Sequence, residues 1–113
     1  MNSNRPDTEI TGAELKSKLD GNVPVVLLET LTEAHYFRGH LPRALLMPHT
    51  QVRQLAAEVA PDKSSEIVVY CANRACRNSH IAAGVLTSLG YQNVRVFAGG
   101  KEEWKQAGFP FEA

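Results

Sequence analysis

IVVYCANRACRNSHIAAGVLTSL, residues 67–89, sets the architecture of the chain. Its apolar start, Ile67-Val68-Val69-Tyr70, is β-branched and aromatic and predicts a buried strand that ends in Cys71. Small and polar residues follow from Ala72 to Asn78. Ser79 then opens a segment in which Ile81, Val85 and Leu89, flanked by Ala82 and Leu86, recur at helical spacing. The unit is strand, cysteine, loop, helix. A loop that enters a helix turns free backbone N–H groups into its own concavity, and the helix dipole adds partial positive charge there. A thiol at that edge is expected to ionise easily. Arg74 and Arg77 lie in the same loop, so the site suits a thiolate or persulfide together with a small oxyanion.

The remaining composition narrows the class. A chain of 113 residues is one domain by length and large enough to bury a core without staples. With 43% hydrophobic and 21% charged residues it has the composition of an ordinary globule rather than a disordered chain. Twelve basic residues against twelve acidic ones leave no global field to attract nucleic acid or an acidic membrane. The polar N-terminus lacks the apolar core of a signal peptide and no apolar run approaches a membrane span, so the expectation is a cytoplasmic protein. Two cysteines, Cys71 and Cys76, make a thiol site rather than a secreted disulfide framework.

Taken in order, residues 1–7 predict a flexible tail and residues 8–113 a single domain. Thr8-Glu9-Ile10 suggests a short edge strand. Thr11 and Glu14 match a capping box, and Leu15 and Leu19 supply the apolar stripe of a first helix. Val25-Val26-Leu27-Leu28 is continuously apolar, as in a strand covered on both faces, and ends at Glu29. A short helix over 32–37 closes at Gly39. Leu41-Pro42 forces an extended turn before a strand over 44–47, and residues 51–59 read as a helix. Val94-Arg95-Val96-Phe97 is the last strand, and Gly99-Gly100 leads into a helix around Trp104. This alternation predicts an α/β domain with a largely parallel sheet and helices on both faces, and it puts Cys71 at the carboxyl end of a strand, where such sheets bind ligands.

Three further signatures give the chain a resemblance. Gly39-His40-Leu41-Pro42-Arg43-Ala44, the strand and cysteine Val68-Val69-Tyr70-Cys71, and Phe97-Ala98-Gly99-Gly100 with Trp104 and Gly108-Phe109-Pro110 together resemble the single-domain rhodanese family, over about residues 8–111. The resemblance implies a five-stranded, mostly parallel sheet flanked by helices. It also implies a sulfurtransferase or sulfur carrier: Cys71 takes sulfane sulfur from a donor such as thiosulfate or a persulfide. The cysteine then holds it as a persulfide and passes it to cyanide, a thiol or a protein thiol, with no cofactor. Two departures stand out. Glu29, Leu31 and His35-Tyr36 occupy the places of the family's Asp-Val-Arg and Glu-Tyr, and the loop is longer than in many members. A subset of the family with a longer loop and a second cysteine is the nearest match for Cys71 and Cys76.

On this basis Cys71 is the expected nucleophile, and Ala72, Asn73, Arg74, Ala75, Cys76 and Arg77 are the expected substrate-binding loop. Arg74 and Arg77 are either donors to the anionic end of a substrate or solvated loop cations. Cys76 is either a resolving thiol or filler. Glu29, Asn78 and Ser79 are supporting residues: Glu29 either accepts loop N–H groups or is a solvated or salt-bridged acid, and Ser79 is the expected N-cap. His40 is expected to brace a turn, Phe97 and Trp104 to lie in the core, and His35 and His49 give no signal. Cys71, Cys76 and His80 lack the fourth ligand of a structural zinc site. Two rival functions remain. Cys71 and Arg77 have the spacing of the phosphatase loop shared by arsenate reductases of the rhodanese fold, although Tyr70 stands where such enzymes usually have histidine. The other rival is a recognition module without catalysis.

Overall fold

A computed structural model describes residues 8–113; the expected flexible tail, 1–7, lies outside the described residues. Four parallel strands form the sheet, β1 (Val26–Glu29), β2 (Leu45–Leu46), β3 (Ile67–Tyr70) and β4 (Val94–Phe97), in the order β2-β1-β3-β4. The helices are α1 (Gly12–Asp20), α2 (Glu33–Arg38), α3 (Val52–Val59), α4 (Asn78–Ser88) and α5 (Gly100–Gln106).

The expected fifth strand is reduced to a single bridge. Glu9 pairs with Val96, and the Ile10 amide donates to the Val96 carbonyl at 3.0 Å. Pairing stops there because Thr11 is already the cap of α1. Its hydroxyl accepts the Glu14 amide and its own amide donates to the Glu14 carboxylate, the reciprocal box foreseen from the sequence.

Strand alternation sorts the core into two layers. Leu27, Val68, Tyr70 and Phe97 face α1 and α5, against Leu15, Leu19 and Trp104. Leu28, Ile67, Val69 and Val96 face α3 and α4, against Val52, Ala56, Ala82 and Leu86. Every residue of β3 is buried, because β1 and β4 flank it and helices cover both faces. Trp104 and Phe97 meet edge to face at 6.0 Å, and the indole N–H donates to the Pro110 carbonyl. His40 stacks on Tyr36 at 3.9 Å, with Nδ1 3.0 Å from the Tyr36 carbonyl, and its backbone pairs with Glu112. Glu29, Tyr70 and Phe97 end their strands in register, so whatever follows Tyr70 emerges at the middle of the sheet's carboxyl edge.

Candidate functional site

Cys71 is the residue that follows. It is 1% exposed, and its Sγ lies 3.4 Å from the Cys76 carbonyl oxygen and 3.5 Å from the Ser79 hydroxyl. The loop between them is shaped by Asn73, whose Oδ1 accepts the amides of Ala75 and Cys76, a turn that asparagine forms readily. Those two N–H groups therefore serve the turn instead of pointing freely into the concavity.

The start of the loop is fastened from α5. The Lys101 amide donates to the Cys71 carbonyl at 3.0 Å and the Glu102 amide to the Ala72 carbonyl at 2.9 Å. This close approach explains the paired glycines. Gly100 has φ +62°, and a side chain there would overlap the Cys71 carbonyl oxygen and crowd Ala72 and Asn73.

The thiol is less acidic than its position at a helix entrance led us to expect. Burial pushes the Cys71 thiol above the ordinary cysteine range and the neighbouring Cys76 adds to this, while hydrogen bonds from the Ser79 hydroxyl and amide pull in the opposite direction. Ser79 is therefore not the N-cap. α4 begins at Asn78 with Arg77 in the cap position and no side-chain cap bond, and the buried Ser79 turns its hydroxyl to sulfur.

The two loop arginines diverge. Arg74 Nε pairs with Glu103 Oε2 at 3.0 Å, whereas Arg77 is exposed and forms no ion pair among the described residues. Cys76 is a free, partly buried thiol.

Below the loop lies a polar network that pattern reading did not resolve. Glu29 is fully buried and is the salt-bridged acid of its two expected roles, not an acceptor of loop N–H groups: Lys101 Nζ stands 2.9 Å from Oε2, and Tyr70 donates its hydroxyl to Oε1 at 2.7 Å. The Leu41 amide donates to the Tyr70 oxygen in turn. Burial, then the Glu29 charge, raises the Tyr70 phenol far above its usual range, so it remains a donor. Thr30 caps the end of β3 from the side, its amide and hydroxyl both donating to the Tyr70 carbonyl. Leu31, where the family pattern has arginine, is buried, and the cation beside Glu29 comes from α5 instead. Cys71, Cys76 and His80 do not converge: among the described residues no three His, Cys, Asp or Glu side chains gather as a metal site.

Residues 11–107 match the family pattern described as the rhodanese-like domain. The chain belongs to the rhodanese-like family. This rhodanese-like domain is similar to the thiosulfate sulfurtransferase from Pseudomonas aeruginosa, with a TM-score of 0.83 and 25% identity, over 92% of this chain and 20% of that one. It is also similar to the Alr3790 protein from Anabaena sp., with a TM-score of 0.82 and 29% identity, over 92% of this chain and 91% of that one. Among curated proteins it is 29% identical over 107 residues to the HTH-type transcriptional regulator Rv0324 of Mycobacterium tuberculosis, covering 95% of this chain and 46% of the regulator. The rhodanese-like domain thus spans less than half of that regulator's length. Of the expected site residues, the domain brings the Cys76 carbonyl and the Ser79 hydroxyl to the Cys71 sulfur and uses Asn73 to shape the loop, whereas Arg74 pairs with Glu103 and Glu29 with Tyr70 and Lys101. Lys101 and Gly100 were missed as neighbours of Cys71; the Gly99-Gly100 pair was the available signal.

Proposed function

We propose that the domain is a sulfurtransferase or sulfur carrier that works through a Cys71 persulfide. The position of Cys71 carries the proposal: a buried thiol after the central strand, fastened through its carbonyl by α5 and met at sulfur by Ser79. The Cys71 thiolate attacks the outer sulfur of thiosulfate, the sulfur–sulfur bond of the donor breaks, and sulfite leaves with the electron pair. A thiol or cyanide acceptor then attacks the outer sulfur of the persulfide and the pair returns to Cys71. The donor's charged end is met by Arg77, and by Arg74 when it leaves Glu103.

The Cys76 carbonyl favours the protonated thiol, so ionisation involves turning the Cys76–Arg77 peptide until its N–H faces sulfur. Cys76 serves as the resolving thiol: after peroxide has oxidised Cys71 to a sulfenic acid, the Cys76 sulfur attacks the Cys71 sulfur, the sulfur–oxygen bond breaks, water leaves and a disulfide closes in the loop. A reducing, cytoplasmic setting would return both thiols.

Intact-protein mass spectrometry after incubation with thiosulfate tests this. Wild type gains one sulfur, about 32 Da, which cyanide removes, whereas Cys71→Ser gains none. Undiminished loading in Cys71→Ser overturns the assignment. The identity with a transcriptional regulator supports a second reading, in which the domain is the sensing or recognition part of a longer protein and Cys71 modification is its signal. Failure of thiosulfate, alternative persulfide donors, aryl phosphate and arsenate alike would leave that reading.

A further inference from the structure

We propose that the groove between α2 and α5 docks an acidic segment, carrying an apolar side chain, of a protein that accepts sulfur from Cys71. The inference rests on the sulfur-carrier function proposed above and names the partner's chemistry. The groove has a volume of about 550 Å³ and is lined by His35, Arg38, Lys101, Lys105 and Phe111, with Ala72 at one end. Ala72 is the residue after the nucleophile, and α5 holds both carbonyls of that dipeptide, so a segment seated here lies against the backbone of the reactive cysteine.

The charge is local. The chain as a whole balances twelve basic against twelve acidic residues, yet this groove collects three permanent cations against one lining acid, Glu102. Lys101 is committed to Glu29 and to the His35 carbonyl. Arg38 and Lys105 are exposed and form no ion pair among the described residues, which leaves two cations for a ligand. Phe111 adds an exposed aromatic surface, and Phe37, next to Arg38 in sequence, is 63% exposed. Unpaired cations beside exposed aromatics fit an acidic, apolar-bearing polypeptide, whose carboxylates would be steered in and whose apolar side chain would cover Phe111. Once the segment is docked, the partner's thiolate attacks the outer sulfur of the Cys71 persulfide. Its own proton has gone to solvent, a new sulfur–sulfur bond forms on the partner, and the electron pair of the broken bond returns to Cys71 as thiolate.

Two short synthetic cysteine peptides test the inference, identical except that the glutamates of one are lysines in the other. Binding is read by fluorescence anisotropy with serine in place of cysteine, and sulfur transfer by mass spectrometry with the thiol peptides. The acidic peptide is expected to bind and accept sulfur roughly tenfold better at low salt, and the advantage shrinks as salt screens it. Arg38→Glu/Lys105→Glu should erase the preference and Arg38→Gln/Lys105→Gln should reduce it, with thiosulfate loading and discharge to cyanide unchanged in both. Equal affinity for the two peptides, or an acidic preference that survives Arg38→Glu/Lys105→Glu, overturns the docking surface. Acid-selective binding by a protein that never loads sulfur would preserve the docking surface and remove the sulfur-carrier function; normal loading without acid-selective binding would do the reverse.

Discussion

Lys101 Nζ stands 2.9 Å from Glu29 Oε2, joining the N-terminus of α5 to the carboxyl end of β1 beneath the Cys71 loop. The contact is electrostatic more than a well-aligned hydrogen bond. The same ammonium donates to the His35 carbonyl at 2.8 Å, and Oε2 has no hydrogen-bond partner of its own. A carboxylate with 0% exposure depends on that cation. Lys101→Met is therefore expected to cost about 3 kcal/mol in urea denaturation, and Glu29→Gln/Lys101→Met to recover most of it. Lys101→Met as stable as wild type would show that the buried Glu29 does not depend on the Lys101 charge.

Gly99 and Gly100 are adjacent yet should respond differently to alanine. At Gly100 the new methyl group meets the Cys71 and Ala72 backbone at φ +62°, which nothing can relieve without moving α5 off the loop. We expect a loss of roughly 2–4 kcal/mol and persulfide loading reduced at least about tenfold. At Gly99 the nearest atoms the methyl group meets are those of the Glu103 carboxylate, the movable end of a side chain, so Gly99→Ala should cost less than about 1 kcal/mol. Thermal denaturation and loading assays on the two variants separate these outcomes.

Cys71 should set the pH dependence of loading. Its thiol is raised by burial, and an acid with a raised pKa ionises later as pH increases. The thiolate fraction, and with it the initial loading rate, should still climb close to tenfold per pH unit at neutral pH and level only above the ordinary cysteine range. Ser79→Ala removes the hydroxyl that favours the thiolate, so it should move the profile further to alkaline pH. A rate that is flat from neutral pH upward would show that the thiol is already ionised.

Arg43 is one of two non-glycine residues with positive φ among the described residues, at φ +70°. Left-handed backbone costs a residue with a Cβ about 1 kcal/mol or more, and the one side-chain hydrogen bond, from Nη2 to the Val23 carbonyl at 3.3 Å, is exposed and long. Arg43→Gly is expected to raise stability by about 0.5–1 kcal/mol, measured by the urea midpoint. A lower midpoint would mean that the guanidinium contact outweighs the backbone strain.

Apolar pattern made the strands and most helices legible before any coordinates, because β1 and β3 are continuous apolar runs and burial is what that pattern encodes. The capping box of α1 was equally readable, since both its partners lie within one turn. The interior of the site was not. Asn73 was expected among the substrate-binding residues, but its carboxamide accepts the Ala75 and Cys76 N–H groups of that loop. Ser79 had the residue type and place of a cap, but burial beside sulfur gave its hydroxyl another partner. Glu29 and Lys101 are far apart in the chain, and no local rule pairs them. Even so, the register that sets Glu29 beside Tyr70 would have suggested their hydrogen bond once the two strands were known to be neighbours. The expected fifth strand failed for a local reason: the cap at Thr11 stops pairing after one bridge.

The loop that carries Cys71 is fastened unevenly. Its first two carbonyls are clamped by α5, whereas the turn from Asn73 to Cys76 is held mainly by the Asn73 side chain. The nucleophile's backbone is thus a fixed post, and the Cys76 carbonyl that meets its sulfur hangs on the less fastened half like a gate, while Ser79 is held by α4. Under saturating donor, sulfur uptake would then be paced by the gate and not by encounter: the rate would level off with donor concentration at the same ceiling for donors of different affinity.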